Sequence, residues 1–248
     1  MRWLFSLLLF VFTAGSAKAD SQELRYSLSY QGEEIGYRSL KIRFIPSTYG
    51  ERRLLESWTE FQLPIGRRNF LYKQRLSGLA KNKSTGFTAA MSEDGHLREV
   101  QVVHQPERAV VTHVEYGRRW AIPITHEKYD ATSLTLVDPG AKGFLENLLS
   151  LRVLSAETGQ VIAGTLEPKK SRVVVVAGAP QKVDYYVWST ENGAIELSYS
   201  SDGYLLQYSF PFGSQKIVAT LDQLPADRSF EEDIPDPIIG VGMDEEEL

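Results

Sequence analysis

Apolar and polar residues alternate with period two through most of the chain, the signature of strands buried on one face. Leu24, Tyr26, Leu28 and Tyr30 alternate with Arg25, Ser27 and Ser29; Ile195, Leu197 and Tyr199 oppose Glu196, Ser198 and Ser200; Tyr204, Leu206, Tyr208 and Phe210 oppose Leu205, Gln207 and Ser209. Antiparallel sheets permit this one-sided burial. Weaker alternation predicts strands over 35–44, 52–63, 70–76, 97–104, 108–116, 160–166, 172–176, 181–189 and 216–221. The run from Val173 to Val176 is apolar at every position, which predicts a central strand covered on both faces. Gln31-Gly32, Glu191-Asn192-Gly193 and Ser201-Asp202-Gly203 lie between strands and supply the positive φ of tight hairpins, so consecutive strands are joined by short connections.

One helix interrupts this pattern. Asp138 suits an N-cap and Pro139 the first helical position, after which Phe144, Leu145, Leu148 and Leu149 share a face. The spacing predicts a short plug helix near 139–150 that closes an edge or an end of the sheet. It separates a strand set ending near Asp130 from a second set over 160–224, which form either halves of one sheet or two packed sheets. The fold class is mainly β and antiparallel.

Before the first strand, Arg2, the apolar run from Trp3 to Phe12 broken only by Ser6, and Ala17-Lys18-Ala19 follow the order of a cleavable secretory signal. The run is well short of the ~20 apolar residues that span a bilayer. Residues 1–19 therefore read as a signal peptide, 20–224 as one β domain and 225–248 as an acidic tail. There is no cysteine, so neither a disulfide nor a cysteine-linked lipid is available. A chain of this size buries enough surface to do without such staples, and their absence fits a bacterial envelope. The Asn82-Lys83-Ser84 sequon matters only in a eukaryotic source.

The formal net charge of −5 conceals an asymmetry. From Pro225 to Leu248, Asp and Glu outnumber the single Arg228 nine to one, which leaves the body near neutral once Arg2 and Lys18 are removed. Such a body lacks the clustered basic face that nucleic-acid binding needs. The tail reads as a solubilising end. The alternative is a linear segment in which Ile238, Ile239, Val241 and Met243 dock on a partner or a sheet edge.

Candidate chemistry is sparse. No Gly-x-Ser-x-Gly elbow, phosphate loop or His-Glu-x-x-His helix occurs. His104 and His113 flank the Gln105-Pro106-Glu107 turn, so a two-histidine metal site with Glu99 or Glu115 is the nearest approach to one; solvated strand histidines are the simpler reading, and neither metal nor cofactor is expected. Glu33-Glu34, Arg67-Arg68 and Arg118-Arg119 are neighbours that point to opposite faces or into solvent, and make no dyad. The aromatics are more suggestive. They recur on predicted strands, and Tyr186 and Trp188 share a face. Core packing explains them; the sharper reading is a sheet lining an apolar pocket, with Trp58, Tyr72, Tyr186, Trp188 and Tyr208 as the lining residues.

Tyr30-Gln31-Gly32-Glu33-Glu34-Ile35-Gly36-Tyr37 resembles the opening hairpin, tyrosine, x, Gly, x, x, Ile/Val, Gly, of a group of poorly characterised exported bacterial β domains. These occur alone or ahead of transglutaminase-like and α/β-hydrolase domains. The stretch from Val173 through Gly178 to Tyr185-Tyr186, and then Ser201-Asp202-Gly203-Tyr204-Leu205, is similar to their strand, turn, strand, Asp-Gly-x-Leu ending. The resemblance implies a strongly curved antiparallel sheet or open barrel, comparable to that of periplasmic lipoprotein carriers. It brings no catalytic residues with it.

Taken together, the sequence predicts an exported, non-enzymatic envelope protein, periplasmic or secreted, with no transmembrane segment after signal cleavage. It would bind a lipid or another apolar or amphipathic ligand on the concave face of its sheet. The alternative is a structural or interaction module that meets an envelope protein through its sheet edges and acidic tail.

Overall fold

The computed structural model describes residues 21–45, 52–80, 86–213 and 215–225. The expected signal segment and the docking segment of the acidic tail lie outside the described residues. The strands are β1 (Ser21–Tyr30), β2 (Glu33–Ile45), β3 (Arg52–Ile65), β4 (Arg68–Ala80), β5 (Phe87–Glu93), β6 (His96–His104), β7 (Arg108–Glu115) and β8 (Arg118–Thr125), followed by β9 (Ala131–Thr132), β10 (Ser150–Leu154), β11 (Val161–Val176), β12 (Ala179–Thr190), β13 (Gly193–Tyr199), β14 (Leu205–Phe212) and β15 (Gln215–Leu221).

All of them belong to one sheet, in the order β8-β7-β6-β5-β4-β3-β2-β1-β15-β14-β13-β12-β11-β10-β9. β1–β8 and β10–β15 are meanders, β9 pairs parallel with β10, and the pairing of β1 with β15 joins the two sets as halves of a single surface. Hairpin chemistry explains the meanders. Gln31 and Gly32 take φ of 53° and 87°, the left-handed pair of a two-residue turn whose twist matches that of the flanking strands. Asp94-Gly95, Tyr116-Gly117 and Ala177-Gly178 repeat it.

The two edge strands, β8 and β9, are consecutive in the chain, separated only by residues 126–130. That short link requires the sheet to curl until its edges approach, which gives an open barrel. A single 3-10 turn, His126–Lys128, makes the crossing. Across the concave side, residues of one phase meet in rows set by the register. Leu40, Ser57, Leu76, Ala89 and Val100 form one buried row, and Ile42, Leu55, Gly78, Phe87 and Val102 the next.

The predicted plug is two single-turn helices, α1 (Ser133–Val137) and α2 (Ala141–Leu145), in place of one helix over 139–150. A capping box between Thr132 and Thr135 starts α1 well before Asp138. Asp138 then caps its C-terminus, and Pro139, which has no N–H to offer, ends the ladder. Leu148 and Leu149 lie beyond α2, and by Ser150 the chain has re-entered the sheet. α1 packs on the concave side, where a Cβ on Gly78 would come within 2.7 Å of Leu134. The Tyr199 hydroxyl donates to Leu136 O at 2.9 Å, and buried Trp188 donates from Nε1 to Leu151 O at 3.1 Å.

The expected central strand differs too. β11 runs unbroken from Val161 to Val176, joining the two strands expected over 160–166 and 172–176, with a bulge between Lys169 and Arg172. Its pairing with β10 ends at Thr165, so beyond that point β12 is its only partner in the ladder. Val174 and Val176 are buried but Val173 and Val175 are not, at 63 % and 59 % exposed. Strands β5, β8, β9 and β10 are additions to the predicted set. Among the described residues, no helix is long and apolar enough to cross a membrane.

Candidate functional site

One concave row breaks the apolar pattern. The register aligns Arg38 of β2, Thr59 of β3, Gln74 of β4, Met91 of β5 and Arg98 of β6, so that two guanidinium groups and an amide point where leucines and valines point in the rows beside them. Arg38 donates from Nε to Ser57 Oγ at 2.8 Å and from Nη1 to the Tyr208 hydroxyl at 2.8 Å, and its guanidinium lies 5.7 Å from the centre of the Tyr208 ring. Among the described residues no carboxylate reaches it within 4 Å. Arg98, by contrast, pairs with Glu93 at 3.0 Å.

A carboxylate enters this space from the opposite wall. The turn between β10 and β11 folds into the curl, where Gly159 sits against His113 and Val111 of β7. It carries Glu157 into the field of Arg38, Arg98, Glu93 and Tyr72. Glu157 as a residue is exposed, while its carboxyl group is surrounded by protein and has charged neighbours that all lie on the concave face. Burial pushes its carboxyl upward, against the opposing pull of Arg38 and Arg98. The same cause, reinforced by Glu157 and Glu93, holds the Tyr72 hydroxyl well above the usual phenol range. That hydroxyl is enclosed, and the Glu157 carboxyl is the group that reaches it, outside ordinary hydrogen-bond geometry.

Aromatic rings continue from this polar patch toward the hairpin end of the barrel. Phe61 stacks on Tyr72 with centroids 4.8 Å apart, Phe212 meets Phe61, Phe70 and Tyr72 between 5.2 and 5.7 Å, and Phe210 stacks on Tyr208 at 5.9 Å. Phe70, Phe210 and Phe212 are only partly buried. The arrangement offers donors at one end and an apolar wall beside them, which suits a molecule with a polar head and a hydrocarbon body.

Of the five aromatics expected to line a pocket, the structure brings Tyr72 and Tyr208 together here. Tyr186 and Trp188 are enclosed in the packed core, at 6 % and 2 % exposed. Trp58 has the opposite phase and stands on the convex face. There it lines an open cavity of about 860 Å³ with Arg75, Leu97, Glu99 and Tyr116. Arg38, Arg98, Glu157, Phe61 and Phe212 are site residues that the aromatic pattern alone does not identify.

The candidate histidine pair is not assembled. His104 is opposite Ala109 and His113 opposite Val100, four positions apart along the strands, or roughly 13 Å at the rise of a β-strand. His104 instead stacks on His126, with centroids 5.3 Å apart, while the Tyr129 hydroxyl lies 3.2 Å from His104 Nδ1 and 3.0 Å from His126 Nδ1. His126 Nε2 donates to Gln105 O at 2.8 Å, which leaves the Nδ1 of the neutral ring to accept from Tyr129. Burial raises the Tyr129 hydroxyl to about 12, so it remains a donor at any physiological pH. This chain of hydrogen bonds latches the crossing between the sheet edges. Among the described residues, no group of three or more His, Asp or Glu has a metal-binding arrangement.

No protein-family model matches the sequence, and no curated protein matches it. The fold is similar to that of a β-barrel-like protein of the domain of unknown function DUF1849 from Brucella abortus. The TM-score is 0.59 at 12 % identity, over 84 % of this chain and 98 % of that one. The likeness supports, at the level of the fold, the expected resemblance to a poorly characterised bacterial β-barrel-like domain.

Proposed function

We propose that this chain is an exported envelope protein that holds an amphipathic ligand within its curled sheet and performs no chemistry on it. The observation that carries this reading is the pairing of a charged, incompletely matched patch, Arg38, Tyr72 and Glu157, with a wall of partly exposed rings on the concave side. A barrel that needed only stability would fill this row as it fills its neighbours, with leucine and valine. Native mass spectrometry of protein isolated from the bacterial envelope, followed by lipid extraction, tests it. A bound amphiphile at stoichiometric occupancy is expected, and bare protein from every preparation overturns the reading.

The alternative, an interaction module, is favoured by the convex cavity, where Leu97 and Tyr116 are 74 % and 73 % exposed beside Trp58. Isolated exposed leucines are ordinary, but a concave apolar group on one face is the mark of a docking surface. A photo-crosslinker at position 97 distinguishes the two: a single defined protein adduct in cells supports the module, and none counts against it.

A further inference from the structure

We propose that the concave pocket selects an anionic headgroup, a carboxylate or phosphate carried on a hydrocarbon chain, and that Glu157 takes up a proton when the anion binds. The inference rests on the ligand-binding reading above and names the ligand class.

The argument turns on how the two unmatched charges can be relieved. Arg38 and Glu157 lie in each other's field without touching: among the described residues Glu157 makes no ion pair within 4 Å, and the hydrogen bonds of Arg38 go to Ser57 and Tyr208. A guanidinium set in the fold cannot shed its charge, because it stays protonated at any attainable pH. A carboxylate can, by binding a proton. The need left in the pocket is therefore for an anion. Once protonated, Glu157 is a donor. Arg38 then keeps N–H groups beyond the two already used, the enclosed Tyr72 hydroxyl interacts with the Glu157 carboxyl, and protonated Glu157 adds a donor beside them. Arg38 and protonated Glu157 are then the donors on offer, and the rings of Phe61, Phe70 and Phe212 stand beside Tyr72 for the chain.

The surrounding charges agree with this. Those facing Glu157 are Arg38 from β2, Tyr72 from β4, Glu93 from β5 and Arg98 from β6, with His113 of β7 against the same turn. Arg98 and Glu93 neutralise each other at 3.0 Å. Burial opposes the charge on Glu157. An arriving anion adds a second negative charge beside it, which drives the proton on.

The test uses purified full-length protein and four probes with the same twelve-carbon tail, below their micellar concentrations: dodecanoate, dodecyl phosphate, dodecanol and dodecyltrimethylammonium. Calorimetry near pH 7 in two buffers of different ionisation enthalpy reads affinity and proton uptake together. Dodecanoate or dodecyl phosphate should bind at least tenfold more tightly than dodecanol, the cation not at all, and dodecanoate with net proton uptake. The preferred anion identifies the headgroup as carboxylate or phosphate. Arg38→Gln should bring the anions down to the affinity of dodecanol. Glu157→Gln, which keeps a donor without a titrating group, should retain anion binding but lose both the proton uptake and the pH dependence, so it decides the matter even where Arg38→Gln fails to fold. Equal affinity for dodecanol and the anions, or anion binding with no proton uptake in the parent protein, overturns the inference while leaving a ligand-binding barrel. Failure of all four probes overturns both.

Discussion

Arg53 Nε on β3 lies 3.0 Å from Asp138 Oδ1 between the two plug helices, with the side chains only 18 % and 9 % exposed. This ion pair fastens the plug to the wall of the barrel. Burial pushes the Asp138 carboxyl up, while Arg53 and the Gly140 N–H hold it down. Asp138→Ala removes this carboxylate from beside the largely enclosed Arg53 guanidinium and is expected to cost about 3–5 kcal/mol, read from the urea midpoint. Replacing both residues by leucine should cost clearly less than Asp138→Ala alone. A double variant as unstable as the single one would show that the pair's charge compensation is not what matters.

Glu157 gives a pH signature in the unliganded protein. Its carboxyl is raised in the fold, so between the ordinary glutamate value and that raised value the folded state holds a proton the unfolded chain has lost. Stability from this residue is thus complete in acid and declines as pH climbs through the window. Glu157→Gln should melt higher than the parent protein at pH 8, and the two should converge at pH 4. Parallel melting curves across that range would contradict this.

Gly36, in the opening hairpin motif, is expected to tolerate no side chain. A Cβ there would lie 2.1 Å from Glu60 O and 2.6 Å from Phe61 Cα, both backbone atoms of the paired strand. Gly36→Ala should destabilise by about 3 kcal/mol or more, since β2 and β3 have to part. Gly32→Ala meets no neighbour and carries only the left-handed strain of φ 87°, about 1–2 kcal/mol. Denaturant titration of both variants checks the order.

The Tyr129 latch can be opened with one atom. Tyr129→Phe removes the hydroxyl that joins His104 to His126, and with it both of these hydrogen bonds, for a loss of about 1–3 kcal/mol. Hydrogen exchange should quicken at the crossing between β8 and β9 and leave the seam of β1 and β15 unchanged. Uniform quickening would mean that the latch is part of the global core.

Much of the barrel is legible in the alternation of β1, β13 and β14, and in the left-handed Gln31-Gly32 turn, because one-sided burial and positive φ leave local marks. The single curled surface is not. It depends on β1 meeting β15, and on a link of residues 126–130 too short to leave the edges apart, and neither shows in any local window. β5 escapes notice because its phase is carried by Ala89 and Met91 between small residues. The site left one local trace. Arg38 falls in phase with Leu40, Ile42 and Phe44, and Arg98 with Val100 and Val102, so charged residues stand on the apolar beat of otherwise regular strands. Glu157 left none, since a turn residue has no phase to violate.

The seam between β1 and β15 also sets a schedule. Ser27 accepts its place beside Asp222, 195 positions away, only after nearly the whole chain has emerged. Fourteen of the fifteen strands can be made while the inner edge of β1 still has no neighbour. Closing a loop of that length adds little to the free-energy cost but much to the search, and folds of high contact order are slow. A chain of this design needs to be kept from pairing with its neighbours until its last strand arrives.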